Sequence, residues 1–190
     1  MVHTNSATAV THEHSRAGEK LSLLAVFAHP EDESFGPAGT LAKYASEGVQ
    51  VSLAMATRES APSITELKAY GAEQTVAQSR DRMCSCRTTG VRRACVLDTR
   101  PGELVKLDRQ VIEGQLVRLI REVQPQVIIT FGPDGLLSAD DDHEIISRAV
   151  VAAFRDAGDA SKYEQHFREG LGIHSPQKLY YCVLPQSLVT

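Results

Sequence analysis

Residues 24–36 read LAVFAHPEDESFG, an apolar run that ends in a histidine, a proline and three consecutive acids. The run begins at Leu21, and an apolar segment of this length is typical of a strand buried on both faces of a sheet. Adjacent carboxylates repel one another and contribute little to a strand or a helix. The acids at 31–33, placed directly after His29 at the end of a buried strand, therefore indicate a chemical role.

Strand and helix signals alternate along the chain. Apolar segments predict further strands at 49–57, 91–98, 126–132 and 178–185. Helices are predicted after Pro37, over about 67–89, after Asp108 and from about Asp142. This alternation predicts an α/β fold, a three-layer sandwich with a mainly parallel sheet and right-handed crossovers. The length of 190 residues suits a single domain over 21–190, preceded by a polar, disordered segment over 1–20.

The segment after Asp108 carries the clearest helical period in the sequence. Its predicted apolar face consists of Val111, Ile112, Leu116, Leu119, Ile120 and Val123. Pro125 cannot continue a helix and is expected to end it.

Composition argues against several classes of function. The net charge of −4 is unfavourable for a nucleic-acid binder, and no apolar run approaches the ~20 residues that span a bilayer. The N-terminus lacks the apolar centre of a secretory signal, so we expect a cytoplasmic protein without nucleic-acid or membrane partners. Cys84, Cys86, Cys95 and Cys182 match no structural zinc spacing, and core or surface thiols are the simpler interpretation.

Polar residues follow four of the predicted strands. They occupy 29–33, 57–59, 98–102 and 131–143. The carboxyl ends of parallel strands meet at one edge of a sheet, and open α/β sheets bind their ligands there. The opening segment therefore lies in a predicted active site.

The residue types at this edge predict a metal site. His29 and Asp32 are three residues apart in a loop that enters a helix, and His143 at the start of a later helix can supply a third ligand. Two imidazoles and one carboxylate suit Zn²⁺ with a position left for water. Zinc lowers the pKa of its water toward ~7, and Glu31 can accept the proton. Glu33 is expected to orient His29 or to bond the loop backbone.

Each motif taken alone also has a purely structural interpretation. HPEDE can be a solvated turn with acids at a helix N-terminus, where the helix dipole favours them, and DDDH can be a capping cluster. A phosphate-binding domain that uses GPAG at 36–39 is a further alternative. It is weakened because the glycine fingerprint is incomplete and follows an acidic cluster. Both motifs at one sheet edge favour the metal.

The two motifs resemble those of the PIG-L/LmbE-like zinc-dependent deacetylases. That family has an apolar strand followed by AHPDDE, and later TFGPDG followed by HPDH. Here the segments are AHPEDE at 28–33 and TFGPDGLLSADDDH at 130–143, and the resemblance spans about 21–185. It implies a Rossmann-like α/β fold, one zinc ion per chain and hydrolysis of an N-acetyl group, commonly on an N-acetylglucosamine moiety.

The resemblance also implies roles for single residues. The three metal ligands named above would hold zinc, and Glu31 stands where the family has its general base, usually Asp. Asp142 matches the acid that supports a neighbouring catalytic histidine, while Asp140 stands in place of that histidine. Pro101 replaces an acid in a loop that the family uses near the sugar.

Candidate substrate contacts come from other loops at the same edge. Arg80, or Gln78 in a shifted register, falls where the family has a substrate-contacting arginine. Arg58 and Asp98 follow or end predicted strands, although a solvated loop arginine is an equal alternative at 58. The chain ends soon after KLYYCVLP, where many relatives continue, so part of the substrate wall is expected to be missing or to come from another subunit.

The main hypothesis is a hydrolase that acts on a small-molecule N-acylated amino sugar or conjugate. The alternative is a diverged metal-binding protein with weak or no activity that acts as a binding or accessory protein. It is motivated by Asp140 and Pro101 in one site. Family members often assemble, which keeps a homo-oligomer open.

Overall fold

The structure, a computed structural model, describes residues 20–58, 89–135 and 141–183. Its strands are β1 (Ser22–Phe27), β2 (Gln50–Thr57), β3 (Arg93–Thr99), β4 (Val127–Phe131) and β5 (Lys178–Cys182). All neighbouring strands are parallel, in the order β3-β2-β1-β4-β5. Each strand lies within two or three residues of its predicted bounds, which confirms the predicted parallel sheet.

Helices cover both faces of this sheet. They are α1 (Asp32–Phe35), α2 (Ala38–Ser46), α3 (Arg109–Val123), α4 (Asp141–Asp156) and α5 (Gln165–Arg168), with a 3₁₀ turn at Leu104–Lys106. Leu41 of α2 packs with Phe27 and Phe131 on one face. Ile112 of α3 and Ile146 of α4 pack on the other. The result is the predicted three-layer sandwich.

The helix α3 confirms its predicted start and end, with one correction to its buried face. The side chain of Asp108 accepts a hydrogen bond from the N–H of Gln110, and Gln124 ends the helix in a left-handed conformation before Pro125. Val111 was predicted to be buried and is 51% exposed, whereas Arg121 is 1% exposed. The buried face is therefore rotated toward a charged residue.

Arg121 is buried because its side chain forms hydrogen bonds with the backbone of the segment that follows α4. Its guanidinium donates to the carbonyl oxygens of Ala157, Asp159 and Lys162 at 3.1, 2.9 and 3.0 Å. It also lies 4.7 Å from the ring centre of Phe167. A cation near the carboxyl end of a helix interacts favourably with the helix dipole. These carbonyls thus satisfy the guanidinium of Arg121, a residue that the apolar pattern of the sequence predicts to be exposed to solvent.

The strand order places the loops after β1 and β4 side by side. β1 pairs with β2 on one side and with β4 on the other, so the sheet reverses its direction of winding beside β1. Such a switch point opens a crevice at the carboxyl ends of the strands. The two predicted ligand segments leave the sheet at this crevice.

An apolar groove of about 690 Å³ runs along the sheet between α2 and β5. Its walls include Leu23, Tyr44, Ile129 and Tyr180, and Tyr180 is 52% exposed. Gly36, in the connection between α1 and α2, also lines the groove.

Several predictions fall outside the described residues. These are the disordered segment at 1–20 apart from its last residue, the helix at 67–89 apart from its end, the cysteines at 84 and 86, and the last residues of the strand at 178–185. Within the part of the chain that the structure describes, no helix is both long and apolar enough to cross a bilayer.

Candidate metal centre

The end of β1 is held in place by β2. The backbone N–H and the hydroxyl of Thr57 both donate to the carbonyl oxygen of Ala28, at 2.8 and 3.0 Å. Both residues are fully buried. His29 follows this double hydrogen bond directly, so its backbone position is set by the core rather than by a mobile loop.

The three consecutive acids of the loop have three different environments. Asp32 accepts the backbone N–H of His29 at 2.7 Å and turns its carboxylate toward the crevice. Glu33 is 4% exposed and accepts the N–H of Glu31 at 3.0 Å, which is the backbone role anticipated for it. Glu31 is exposed and has a φ of 93°, a left-handed conformation that is unfavourable for a residue with a side chain. Strained backbone of this kind concentrates at functional sites.

The side chains of His29, Asp32 and His143 converge. Nδ1 of His29 lies 3.2 Å from Nε2 of His143, and that atom lies 3.3 Å from Oδ1 of Asp32. Nδ1 of His29 lies 3.8 Å from Oδ2 of Asp32, and one ligand atom from each residue falls within 4.8 Å of the others. A tetrahedral zinc ion with bonds of about 2.0–2.1 Å separates its ligand atoms by roughly 3.3 Å. The spacing and the donor types therefore fit zinc.

His143 is positioned by the first turn of α4 and by the loop after β4. Its ring centre lies 4.7 Å from that of Phe131, which is 2% exposed. Gly135 has a φ of +62°, and a Cβ on it would lie 2.9 Å from the backbone N of Glu144 and 3.1 Å from Cβ of His143. Gly135, the second glycine of the TFGPDG segment, is thus required for two reasons: the backbone is left-handed there, and the start of α4 leaves no room for a side chain.

Asp142 lies on the far side of the His29 ring. It is 1% exposed, and its Oδ2 lies 3.3 Å from Nε2 of His29 and accepts the N–H of Gly102 at 2.5 Å. An acceptor at Nε2 favours the tautomer that carries its proton there and leaves the lone pair of Nδ1 for a metal. In the family, the acid that corresponds to Asp142 supports a histidine at the position of Asp140. In this structure, the carboxylate of Asp142 contacts His29.

The structure describes the predicted substrate contacts and Asp140 only in part. Arg58 is exposed at the carboxyl end of β2, and its N–H donates to the carbonyl of Thr99 at 2.8 Å. The backbone of Asp98 belongs to β3 at the same edge, while its side chain lies outside the described parts. Asp140 and Arg80 also lie outside the described residues. Their roles, and that of Glu31 as base, stay predictions.

Two contributors to the centre were not foreseen from the sequence. Phe131 and Gly102 were placed at the edge of the predicted sheet, at a strand end and in a polar loop, but neither was given a role in positioning the site. The available signals were an aromatic residue inside the TFGPDG segment and a Pro-Gly pair after β3. Cys182 lies about 4 Å from where a Cβ on Gly36 would be, and burial raises the pKa of its thiol, so a thiolate ligand is unfavourable there.

A match to a known protein family covers both ligand segments. Residues 24–154 match the family described as PIG-L: GlcNAc-PI de-N-acetylase. The mycothiol S-conjugate amidase of Streptomyces coelicolor is 33% identical over 181 residues, which cover 86% of this chain and 61% of the relative. A 1D-myo-inositol 2-acetamido-2-deoxy-alpha-D-glucopyranoside deacetylase of Salinispora arenicola is 29% identical over 189 residues, which cover 88% of this chain and 57% of the relative.

A solved structure supports the same fold. N,N'-diacetylchitobiose deacetylase from Pyrococcus horikoshii matches with a TM-score of 0.69 at 20% identity, over 85% of this chain and 60% of that one. The likeness at this identity shows the fold alone, and it confirms the Rossmann-like arrangement. The chain spans 61% and 57% of the two curated relatives described above.

Proposed function

Because the chain belongs to the PIG-L family, we propose that it is a zinc-dependent hydrolase that removes an acetyl or other acyl group from an amide nitrogen. The convergence of His29, Asp32 and His143 at the switch point of the sheet carries this proposal. We propose as substrate a small molecule that contains an N-acylated glucosamine. The names of the two curated relatives, an amidase and an acetamido-sugar deacetylase, support that class.

The donor set supports zinc as the ion. Zn²⁺ would be held by the two imidazoles and the Asp32 carboxylate. When bound, zinc polarises an amide carbonyl and lowers the pKa of its water toward ~7. Asp142 would hold the Nε2 proton of His29, which keeps Nδ1 directed at the centre.

Glu31 would act on protons at the reacting groups. Its carboxylate would take the proton of the attacking water and return it to the amine nitrogen as the C–N bond breaks, so that the products are a carboxylic acid and a free amine. Its position between His29 and Asp32 and its exposure to solvent support this role. Glutamate in place of the family's usual aspartate has the same acid–base chemistry with one more methylene.

The test is amine release together with metal content. The purified chain is loaded with zinc and assayed on N-acetylglucosamine conjugates, and Glu31→Gln is compared with the parent. We expect a loss of kcat of about 10²–10⁴-fold, the usual contribution of a general base, with zinc content unchanged. Glu164→Gln, an exposed acid at the start of α5, is the matched control and should retain the parental rate.

Two outcomes would contradict the proposal. Equal rates for Glu31→Gln and the parent would remove Glu31 from the mechanism. Stoichiometric zinc without amine release across the panel would favour the alternative, a diverged binding or accessory protein, for which Asp140 and Pro101 are the motivating substitutions. The cytoplasmic location and a homo-oligomer are further parts of the proposal, which fractionation and light scattering can test.

A further inference from the structure

The loop between β3 and the 3₁₀ turn contains a tight turn at Arg100–Glu103. The N–H of Glu103 donates to the carbonyl of Arg100 at 3.1 Å, Pro101 holds the second position, and Gly102 holds the third with a φ of +74°. Proline followed by a residue with positive φ defines a type II turn. In this turn the central peptide is flipped relative to type I, which reverses the direction of the Gly102 N–H.

That N–H points at the outer side of the metal centre. It donates to Oδ2 of Asp142 at 2.5 Å, and the same oxygen lies 3.3 Å from Nε2 of His29. Because Asp142 is 1% exposed, protein donors rather than bulk water must fix its carboxylate. One oxygen therefore links the turn to the imidazole.

We propose that Gly102 is a positioning residue for the metal centre: its backbone N–H fixes Asp142, and Asp142 fixes the tautomer and direction of His29. This inference rests on the proposed metal site. Gly102 itself is exposed, and a Cβ on it would meet nothing within 4 Å. The glycine is therefore needed for its backbone conformation and not for space. Pro101, which departs from the family pattern, restricts φ at the second position of the same turn.

The first experiment measures the tautomer of His29 without metal. Imidazole ¹⁵N–¹H correlation spectra are recorded at about pH 8.5, above the ordinary pKa of histidine. We expect a single Nε2–H form in the parent. Gly102→Ala strains the left-handed position and favours a turn with the N–H redirected, so His29 should become a mixture of tautomers. Gly102→Asn, which tolerates the left-handed region, should restore the parental spectrum.

The second experiment measures zinc affinity by competition with a chelator. Loss of an outer hydrogen bond to a metal-binding histidine lowers affinity by 10–100-fold, and we expect about tenfold for Gly102→Ala. The matched control is Gly48→Ala, which has a φ of +91° and equally open space but lies at the end of α2. It should lose comparable stability and keep the parental zinc affinity. In an Asp142→Asn background, Gly102→Ala should have no further effect on affinity.

The outcomes separate this inference from the proposed function. An unchanged His29 tautomer in Gly102→Ala, or a loss of affinity that simply adds to that of Asp142→Asn, overturns the inference while leaving hydrolysis intact. If the parent shows a single tautomer that becomes a mixture in Gly102→Ala, but the parent binds no zinc, the metal site is contradicted while the coupling between Gly102 and His29 is supported. A mixed tautomer in the parent itself also overturns the inference.

Discussion

Oδ2 of Asp142 and Nε2 of His29 are 3.3 Å apart, on the side of the imidazole opposite to the atoms that face Asp32 and His143. The carboxylate therefore contacts the ring at the nitrogen that faces away from the other two side chains. Two residues of the DDDH segment differ in their contacts with His29, which follows β1: His143 lies against Nδ1 of the imidazole, whereas Asp142 lies against Nε2. The start of α4 thus contacts His29 through two different side chains.

Replacing Asp142 by Asn should weaken zinc binding by about 10–100-fold, because an amide is a poorer acceptor for an imidazole N–H and carries no charge. Chelator competition measures the effect. Asp141→Asn is the matched control, since Asp141 is exposed in the same helical turn. Equal zinc affinities for the two variants would show that Asp142 does not act on His29.

Zinc should stabilise the fold through the converging ligands. At a free zinc concentration about 100 times Kd, binding adds about 2.7 kcal/mol, which for this chain length corresponds to a rise in Tm of about 5–10 °C. His143→Gln should abolish this rise in differential scanning calorimetry. His174→Gln is the control, because that histidine bonds the carbonyl of Pro125, away from the centre. A zinc-dependent rise that survives in His143→Gln would place the ion elsewhere.

Gly135→Ala should destabilise the protein by about 2–4 kcal/mol, because it combines a left-handed backbone with contact against Glu144 and His143. Gly170→Ala is the matched control. It has a φ of +85° with open space around it and should cost only about 1–2 kcal/mol. Urea unfolding of both variants measures the difference. Equal losses would mean that the loop at Gly135 relaxes without disturbing α4.

Stability should fall as the solution becomes acidic because of His166. Burial, and then Arg121 and Arg118, lower the pKa of this imidazole, while Glu169 and Glu122 oppose the shift. The folded state therefore favours the neutral ring. Its contribution is present above the unfolded-state pKa of about 6.5 and is lost as the pH falls through that value toward the lower folded pKa.

The check is urea unfolding of metal-free protein between about pH 5 and 8, the range that brackets an ordinary histidine pKa. His166→Asn keeps an acceptor near Nη1 of Arg121, which lies 3.3 Å from Nδ1 of His166, but removes the titrating ring. The variant should lose about 1–3 kcal/mol at neutral pH and should show a shallower pH dependence. A slope as steep as that of the parent would assign the acid sensitivity to other groups.

The sequence predicted those features that depend on local pattern. The buried strand before His29, the cap at Asp108 and the meeting of His29 with His143 follow from apolar runs, capping chemistry and the common edge of parallel strands. These rules need only the order of residues and the parallel topology.

Features that depend on how distant backbone approaches a side chain could not be predicted. Arg121 sits within a helical period that would expose it, and its burial is explained by the carbonyls after α4 together with the rings of Phe167 and His166. The bond from Gly102 to Asp142 joins positions 40 residues apart through one peptide orientation. Neither contact leaves a periodic or compositional signal, because one partner in each contact is a backbone group.

The separation of the two histidines along the chain has a consequence for biosynthesis. His29 and His143 are 114 positions apart, and β1 lies in the middle of the sheet, between strands made later. At about 5–20 residues per second, a ribosome needs roughly 6–23 s to deliver the second histidine after the first. The proposed metal centre cannot form before then. Until His143 is synthesised, the nascent chain carries only two of the three proposed ligands, His29 and Asp32.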